Sequence, residues 1–110
     1  MKATIGRLYA AEHLLHGALK DIEAGRPSMS THLPVRVSRL ETPRGGLMVL
    51  DGHHRVIEAG LRGDTSVPVE IDTYLPRIER SAGAWKDWVG KRTPVKAFVD
   101  RVLFERLAKG

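Results

Sequence analysis

Five consecutive residues in the middle of the chain combine the side chains that phosphate chemistry uses. They are Asp51, Gly52, His53, His54 and Arg55. An arginine neutralises phosphate oxygens, a histidine accepts or donates a proton near neutral pH, and an aspartate orients a histidine, activates a nucleophile or holds Mg²⁺. Phosphoryl transfer depends on charge neutralisation and on a positioned nucleophile. The motif therefore predicts a phosphate site with catalytic side chains.

The residues around this motif predict a strand, a tight turn and a helix. The apolar run 47–50 has the length of a buried strand, and Gly52 allows the turn that follows. The helix predicted to begin at His53 has four residues available for burial: Val56, Ile57, Ala59 and Leu61. The first N–H groups of a helix have no partner, and together with the helix dipole they attract anions. Because a cation in the first turn is unfavourable for the helix alone, Arg55 favours a bound anion there.

Each residue of the motif has a catalytic and a structural interpretation. We assign catalysis to Asp51, His53 and His54, phosphate binding to residues 52–55, and a Mg²⁺ ligand to Asp51. The alternative for the histidines is a hydrogen-bonded turn without catalysis, and for the aspartate a turn residue. Glu58 lies one helical turn after His54, so these two side chains are also expected to pair with each other.

Length and composition exclude several classes of protein. A chain of 110 residues has the size of one domain. The absence of cysteine excludes disulfides, thiolate catalysis and cysteine-ligated zinc. No apolar run approaches the roughly 20 residues that span a bilayer, and the N-terminus lacks the apolar core of a signal peptide. We expect a cytoplasmic protein that does not bind membranes.

An amphipathic helix is predicted near the N-terminus. Its apolar residues recur at steps of three and four: Leu8, Ala11, Leu15, Ala18 and Ile22. Gly25 and Pro27 then predict its end. His13 and His16 share one face of this helix at a spacing that can ligate a metal. Two ligands alone do not make a metal site, so we favour surface or groove histidines.

The middle of the chain predicts a small sheet. Residues 34–40 alternate between apolar and polar side chains, as does the segment 67–71, and both predict strands. A turn at 41–46 makes the first of these a hairpin with the strand 47–50. The polar segment 26–32 reads as a loop that is able to fold over a ligand. With the helices, these strands predict an α+β domain with a short sheet.

The C-terminal third carries all of the net charge. Residues 74–110 contain nine Lys and Arg against four Asp and Glu, which equals the net charge of +5 of the whole chain. A basic segment of this kind either binds nucleic acid or is a solvated helical face. The candidate nucleic-acid contacts are Lys86, Trp88, Lys91, Arg92 and Lys96.

Two helices are predicted in this third of the chain. The first covers 75–89, where Trp85 falls on the apolar face and is expected in the core, whereas Trp88 lies off it. The second has Thr93 as N-cap and Pro94 at its first position. Its predicted buried face consists of Val95, Val99, Val102, Leu103 and Leu107.

The motif Asp-Gly-His-His-Arg at 51–55, with a strand before it and Val67-Pro68-Val69 after it, resembles the ParB/sulfiredoxin superfamily. The order of elements agrees over residues 8–72, and the variant is most similar to the ParB-like nuclease, ATPase and free-serine-kinase branches. The resemblance implies a sulfiredoxin-like fold that binds ATP or another nucleotide, with Mg²⁺, through residues 52–55, with Asp51 nearby.

Two departures from the family pattern narrow this expectation. Sulfiredoxins have a catalytic Cys at the position of His53, so the absence of cysteine excludes that activity. Chromosome-segregation ParB proteins carry Gly-Glu-Arg-Arg, and His53 and His54 replace its Glu and first Arg, which disfavours a CTP-driven DNA clamp. We divide the chain into a ParB/sulfiredoxin-like domain at 1–73 and a basic helical extension at 74–110.

Two functions follow from this reading. The first is an enzyme that performs ATP hydrolysis, phosphoryl transfer or phosphodiester cleavage at the motif. The second is a non-catalytic module that binds DNA or a protein through its basic C-terminal helices, with a binding strength that falls steeply with salt. A homodimer is compatible with either function.

Overall fold

The computed structural model describes residues 1–26, 33–40, 43–72 and 91–109. These residues form three α-helices, a short 3₁₀ turn and six strands. The helices are α1 (Glu12–Glu23), α2 (His53–Arg62) and α3 (Val95–Lys109). The strands are β1 (Lys2–Thr4), β2 (Leu8–Ala11), β3 (Val35–Arg39), β4 (Leu47–Asp51), β5 (Ser66–Ile71) and β6 (Arg92–Pro94). The predicted α+β class, with a small sheet and a C-terminal helix, is confirmed.

The six strands form one mixed sheet in the order β1-β5-β3-β4-β2-β6. β3 and β4 are the antiparallel hairpin that the sequence predicts. β2 runs parallel to β4, and β3 runs parallel to β5. The outer strands β1 and β6 pair antiparallel with β5 and β2. The motif therefore follows a central strand, and α1 and α2 each follow one of two neighbouring parallel strands.

Apolar residues of alternate sheet positions and of all three helices make the main core. Its largest fully buried side chains are Phe98, Leu8, Leu15, Ile57, Val35, Val37, Val49, Val56 and Val95. A smaller cluster of Ala11, Leu40 and Met48 lies on the other face of the sheet, because Met48 alternates with Leu47 and Val49. Both faces of β4 are therefore buried, and this fixes the strand from which the motif emerges.

The structure corrects three details of the predicted elements. Leu8 and Ala11 belong to β2, so α1 begins at Glu12, four residues after the predicted start. This difference arises because β2 pairs with both β4 and β6, and sheet pairing outweighs the local helical spacing. Pro94 ends β6 and precedes α3. Leu107 is 81% exposed and does not pack on the core.

Several predictions fall outside the described residues. They concern most of the loop 26–32, the helix at 75–89 and the nucleic-acid contacts Lys86 and Trp88. Of the segment 74–110, the described part joins the same sheet through β6 and the same core through α3. No helix within the described ranges is both long enough and apolar enough to cross a membrane.

Candidate phosphate-binding site

Gly52 forms the turn between β4 and α2. Its φ of +99° lies in the left-handed region, which favours glycine. A side chain there would also lack space, since a Cβ would lie 3.3 Å from both Cα and Cγ2 of Val35. No side chain caps the helix, and its first turn contains no acidic residue. The first turn of α2 itself therefore contains no carboxylate that would compete with an anionic ligand.

Arg55 folds back over the turn that begins its own helix. Its Nη2 lies 2.8 Å from the position that a Cβ on Gly52 would occupy. Its Nη1 is buried and has no hydrogen-bond partner among the described residues. A buried donor without a partner costs about 1–3 kcal/mol, and more when the group is charged. The guanidinium is thus placed at the helix start with unused hydrogen-bonding capacity, which an anion would satisfy.

His53 occupies the first position of α2 and is mostly buried. Burial lowers the pKa of His53 to about 4, while the charge of Asp51 raises it and that of His13 lowers it further. The imidazole is therefore neutral at physiological pH. Its Nε2 is buried and has no hydrogen-bond partner in the described ranges, so this nitrogen is available to a ligand.

His54 and Glu58 lie together, as their spacing predicts. His54 Nδ1 is 2.5 Å from Glu58 Oε1, although the two groups are not aligned for a hydrogen bond. The side chain of His54 is 18% exposed, and its Nε2 also has no hydrogen-bond partner among the residues that the structure describes. The two histidines of the motif thus differ, because His54 has a carboxylate beside it in its own helix.

Asp51 ends β4 and is exposed. It lies directly opposite Arg36 on β3, at a point where the register shifts and Leu50 is the extra residue. Arg36 pairs with the carboxylate of Asp72 rather than with Asp51. Within the described part of the chain, Asp51 has neither a hydrogen bond nor an ion pair, so its carboxylate is accessible at the edge of the site.

The sequence did not indicate that His13 belongs to this region. α1 packs against α2, and His13 in the first turn of α1 acts through its charge on His53 in the first turn of α2. His16, predicted on the same face, instead packs its ring edge against Phe98, with ring centroids 5.0 Å apart. Only the register between β2 and β4, which is a long-range property, brings the first turn of α1 beside the motif.

A cavity of about 260 Å³ opens beside Arg55. It lies between α2 and the first residues of β3 and β5, and it is lined by apolar and by charged side chains. The apolar lining residues are Leu33, Pro34, Val35, Ala59, Val67 and Pro68, and the charged ones are Arg55, Glu58, Arg62 and Asp64. Arg62 is paired with Asp64 at 2.8 Å. Arg55 is thus the lining cation that has no acidic partner among the described residues.

Of the residues predicted to contact nucleic acid, the structure describes Lys91, Arg92 and Lys96. Lys91 is exposed, but Lys96 pairs with Asp100 at 3.0 Å, and the guanidinium of Arg92 lies 5.7 Å from the centre of the Tyr9 ring. No three His, Asp or Glu side chains within the described ranges are arranged to hold a metal ion. A metal at Asp51 would therefore need oxygen ligands from a substrate or from water.

Comparisons of the chain with protein-family models, with curated proteins and with solved structures found no significant match. The ParB/sulfiredoxin resemblance therefore remains a prediction from the motif and the order of elements.

Proposed function

We propose that the protein binds a nucleotide or another phosphate compound at residues 52–55 and catalyses phosphoryl chemistry there. One observation carries this proposal: Arg55 places at the start of α2 a buried guanidinium nitrogen that has no hydrogen-bond partner within the described part of the chain. The same helix start has no capping side chain and no acidic residue in its first turn. An anion at this point would bond to the guanidinium and to the N–H groups together.

The side chains around this point suit a division of roles. Arg55 and the N–H groups of the first turn would bind phosphate oxygens and stabilise their charge. His53, neutral at physiological pH, would accept a proton rather than donate one. Asp51, accessible and without an ion pair among the described residues, fits a Mg²⁺ ligand together with phosphate oxygens. Mg²⁺ bound there would neutralise charge on the phosphate.

A thermal-shift and calorimetric screen of ATP, ADP, CTP and GTP with Mg²⁺ tests the binding. We expect at least one nucleotide to raise the Tm of the wild type and to lose this effect in Arg55→Ala. Arg62→Ala is the matched control, because it removes an arginine from the same helix that is already paired with Asp64. An equal shift in all three proteins would contradict the proposal.

Turnover is tested separately with the nucleotide that binds. We expect Asp51→Asn to abolish product formation from ATP or from DNA while the nucleotide still raises the Tm. Product formation by Asp51→Asn at the wild-type rate would remove Asp51 from the mechanism. Nucleotide binding without any turnover by the wild type would favour a non-catalytic binding module.

A further inference from the structure

Helices α1 and α2 begin at nearly the same position along the strand direction of the sheet. β2 and β4 are neighbouring parallel strands in which Tyr9 is level with Met48. Continued to the end of β2, that register places Ala11 level with Leu50, so α1 begins beside the last residue of β4, with about 4.8 Å between the two strands. His13 is the second residue of α1, and α1 packs against α2, so we place His13 near the turn at Gly52. The charge of His13 does act on His53, in agreement with this placement.

Gly52 therefore has a candidate anion-binding side chain on each side. Arg55 approaches it from the side of β3, where Val35 is also in contact with the turn. His13 is placed on the opposite side, because β2 and β3 flank β4 in the sheet. His53, on which the charge of His13 acts, has a buried Nε2 without a hydrogen-bond partner among the described residues. A single phosphate group bound to Arg55 would leave His13 without a contact to the ligand.

His13 is free to make such a contact. It is exposed, and among the described residues it has neither a hydrogen bond nor an ion pair, whereas His16 is packed against Phe98. The contact would come from the His13 ring and not from the backbone at the start of α1. Glu12 places a carboxylate at that helix start, although Arg101 pairs with it at 2.9 Å.

We propose that His13 is a further ligand-binding residue of this site, contacting the second phosphate group of a diphosphate or longer chain while Arg55 binds the first. The inference rests on the proposed function, and it adds a substrate class: compounds with two or more linked phosphates are bound in preference to those with one. It also means that the site is built from two helices, of which only α2 carries the motif.

The test uses orthophosphate and pyrophosphate as probes, titrated calorimetrically into the full chain. We expect the wild type to bind pyrophosphate at least tenfold more tightly than orthophosphate. His13→Gln should lower the affinity for pyrophosphate by about fivefold or more and leave that for orthophosphate unchanged. Lys20→Gln is the control, since Lys20 is an exposed cation on the same helix, about 10 Å further along it. It should change neither affinity.

A second readout reports the contact directly. The ring signals of His13 in the NMR spectrum should move on addition of pyrophosphate and stay in place on addition of orthophosphate. The inference is overturned if His13→Gln leaves the affinity for pyrophosphate unchanged, or if it lowers both affinities equally. If the wild type binds neither anion, both the proposed function and the inference about His13 are wrong. Binding of both anions without a difference between them removes only the role of His13.

Discussion

Gly52→Ala tests the geometry of the turn before α2. The φ of +99° is unfavourable for alanine by about 1–2 kcal/mol. The new methyl group would also lie 2.8 Å from Arg55 Nη2 and 3.3 Å from two atoms of Val35. Crowding of this kind adds about 1–3 kcal/mol, the lower end if only the arginine moves. We therefore expect Gly52→Ala to lower the free energy of unfolding by about 2–5 kcal/mol.

Gly63→Ala is the matched control for the same measurement. Gly63 has a φ of +91°, and a Cβ there would meet nothing within 4 Å. Urea unfolding followed by circular dichroism should give a cost of about 1–2 kcal/mol for this variant, from backbone strain alone. In an Arg55→Ala background the excess cost of Gly52→Ala should shrink but persist, because Val35 remains. Equal costs for the two glycines would refute the close approach.

Three further predictions concern the core and pH. Because burial lowers the pKa of His53 from 6.5 to about 4, the unfolded chain binds more protons in that interval, so stability should fall by about 3 kcal/mol as pH drops from 6.5 to 4. Urea midpoints across this range should show a smaller fall in His53→Gln, and an unchanged fall would contradict the assignment. Phe98→Ala should lower the free energy of unfolding by about 3–5 kcal/mol, because Phe98 is buried in the core. Phe104→Ala should lower it by less than about 0.5 kcal/mol, because Phe104 is 70% exposed. Similar losses for the two variants in urea unfolding would show that the buried and exposed faces of α3 are wrongly assigned. Gly60→Ala should destabilise the protein although alanine has the better helix propensity, because the new Cβ would lie 2.7 Å from Val99 Cγ2. In a double-mutant cycle, Val99→Ala should reduce the cost of Gly60→Ala.

The elements around the motif could be predicted because their signals are local. The strand at 47–51, the glycine turn and the helix from His53 each follow from a short run of residues. The hairpin with β3 follows from one turn. By contrast, β1, β2 and β6 have only three or four residues each and form through pairing with distant strands. Short strands of this kind carry too little alternation to be distinguished from a helix end.

The same distinction applies to the candidate site. The residue types of the motif indicated phosphate chemistry, and its spacing placed Glu58 near His54. The sequence did not show that Arg55 turns back onto Gly52, because a rotamer depends on the packing around it. Nor did it show that His13 lies beside the motif, since this depends on the register of two strands far apart in the chain.

The most direct test of the central claim is to locate the bound nucleotide. The backbone amide signals of the ¹⁵N-labelled protein are recorded while ATP with Mg²⁺ is added. We expect the largest changes at residues 52–55, with Arg55→Ala abolishing them. Changes confined to the basic residues of the C-terminal third, such as Lys91 and Lys109, would contradict a phosphate site at the start of α2 and would favour binding through the C-terminal helices.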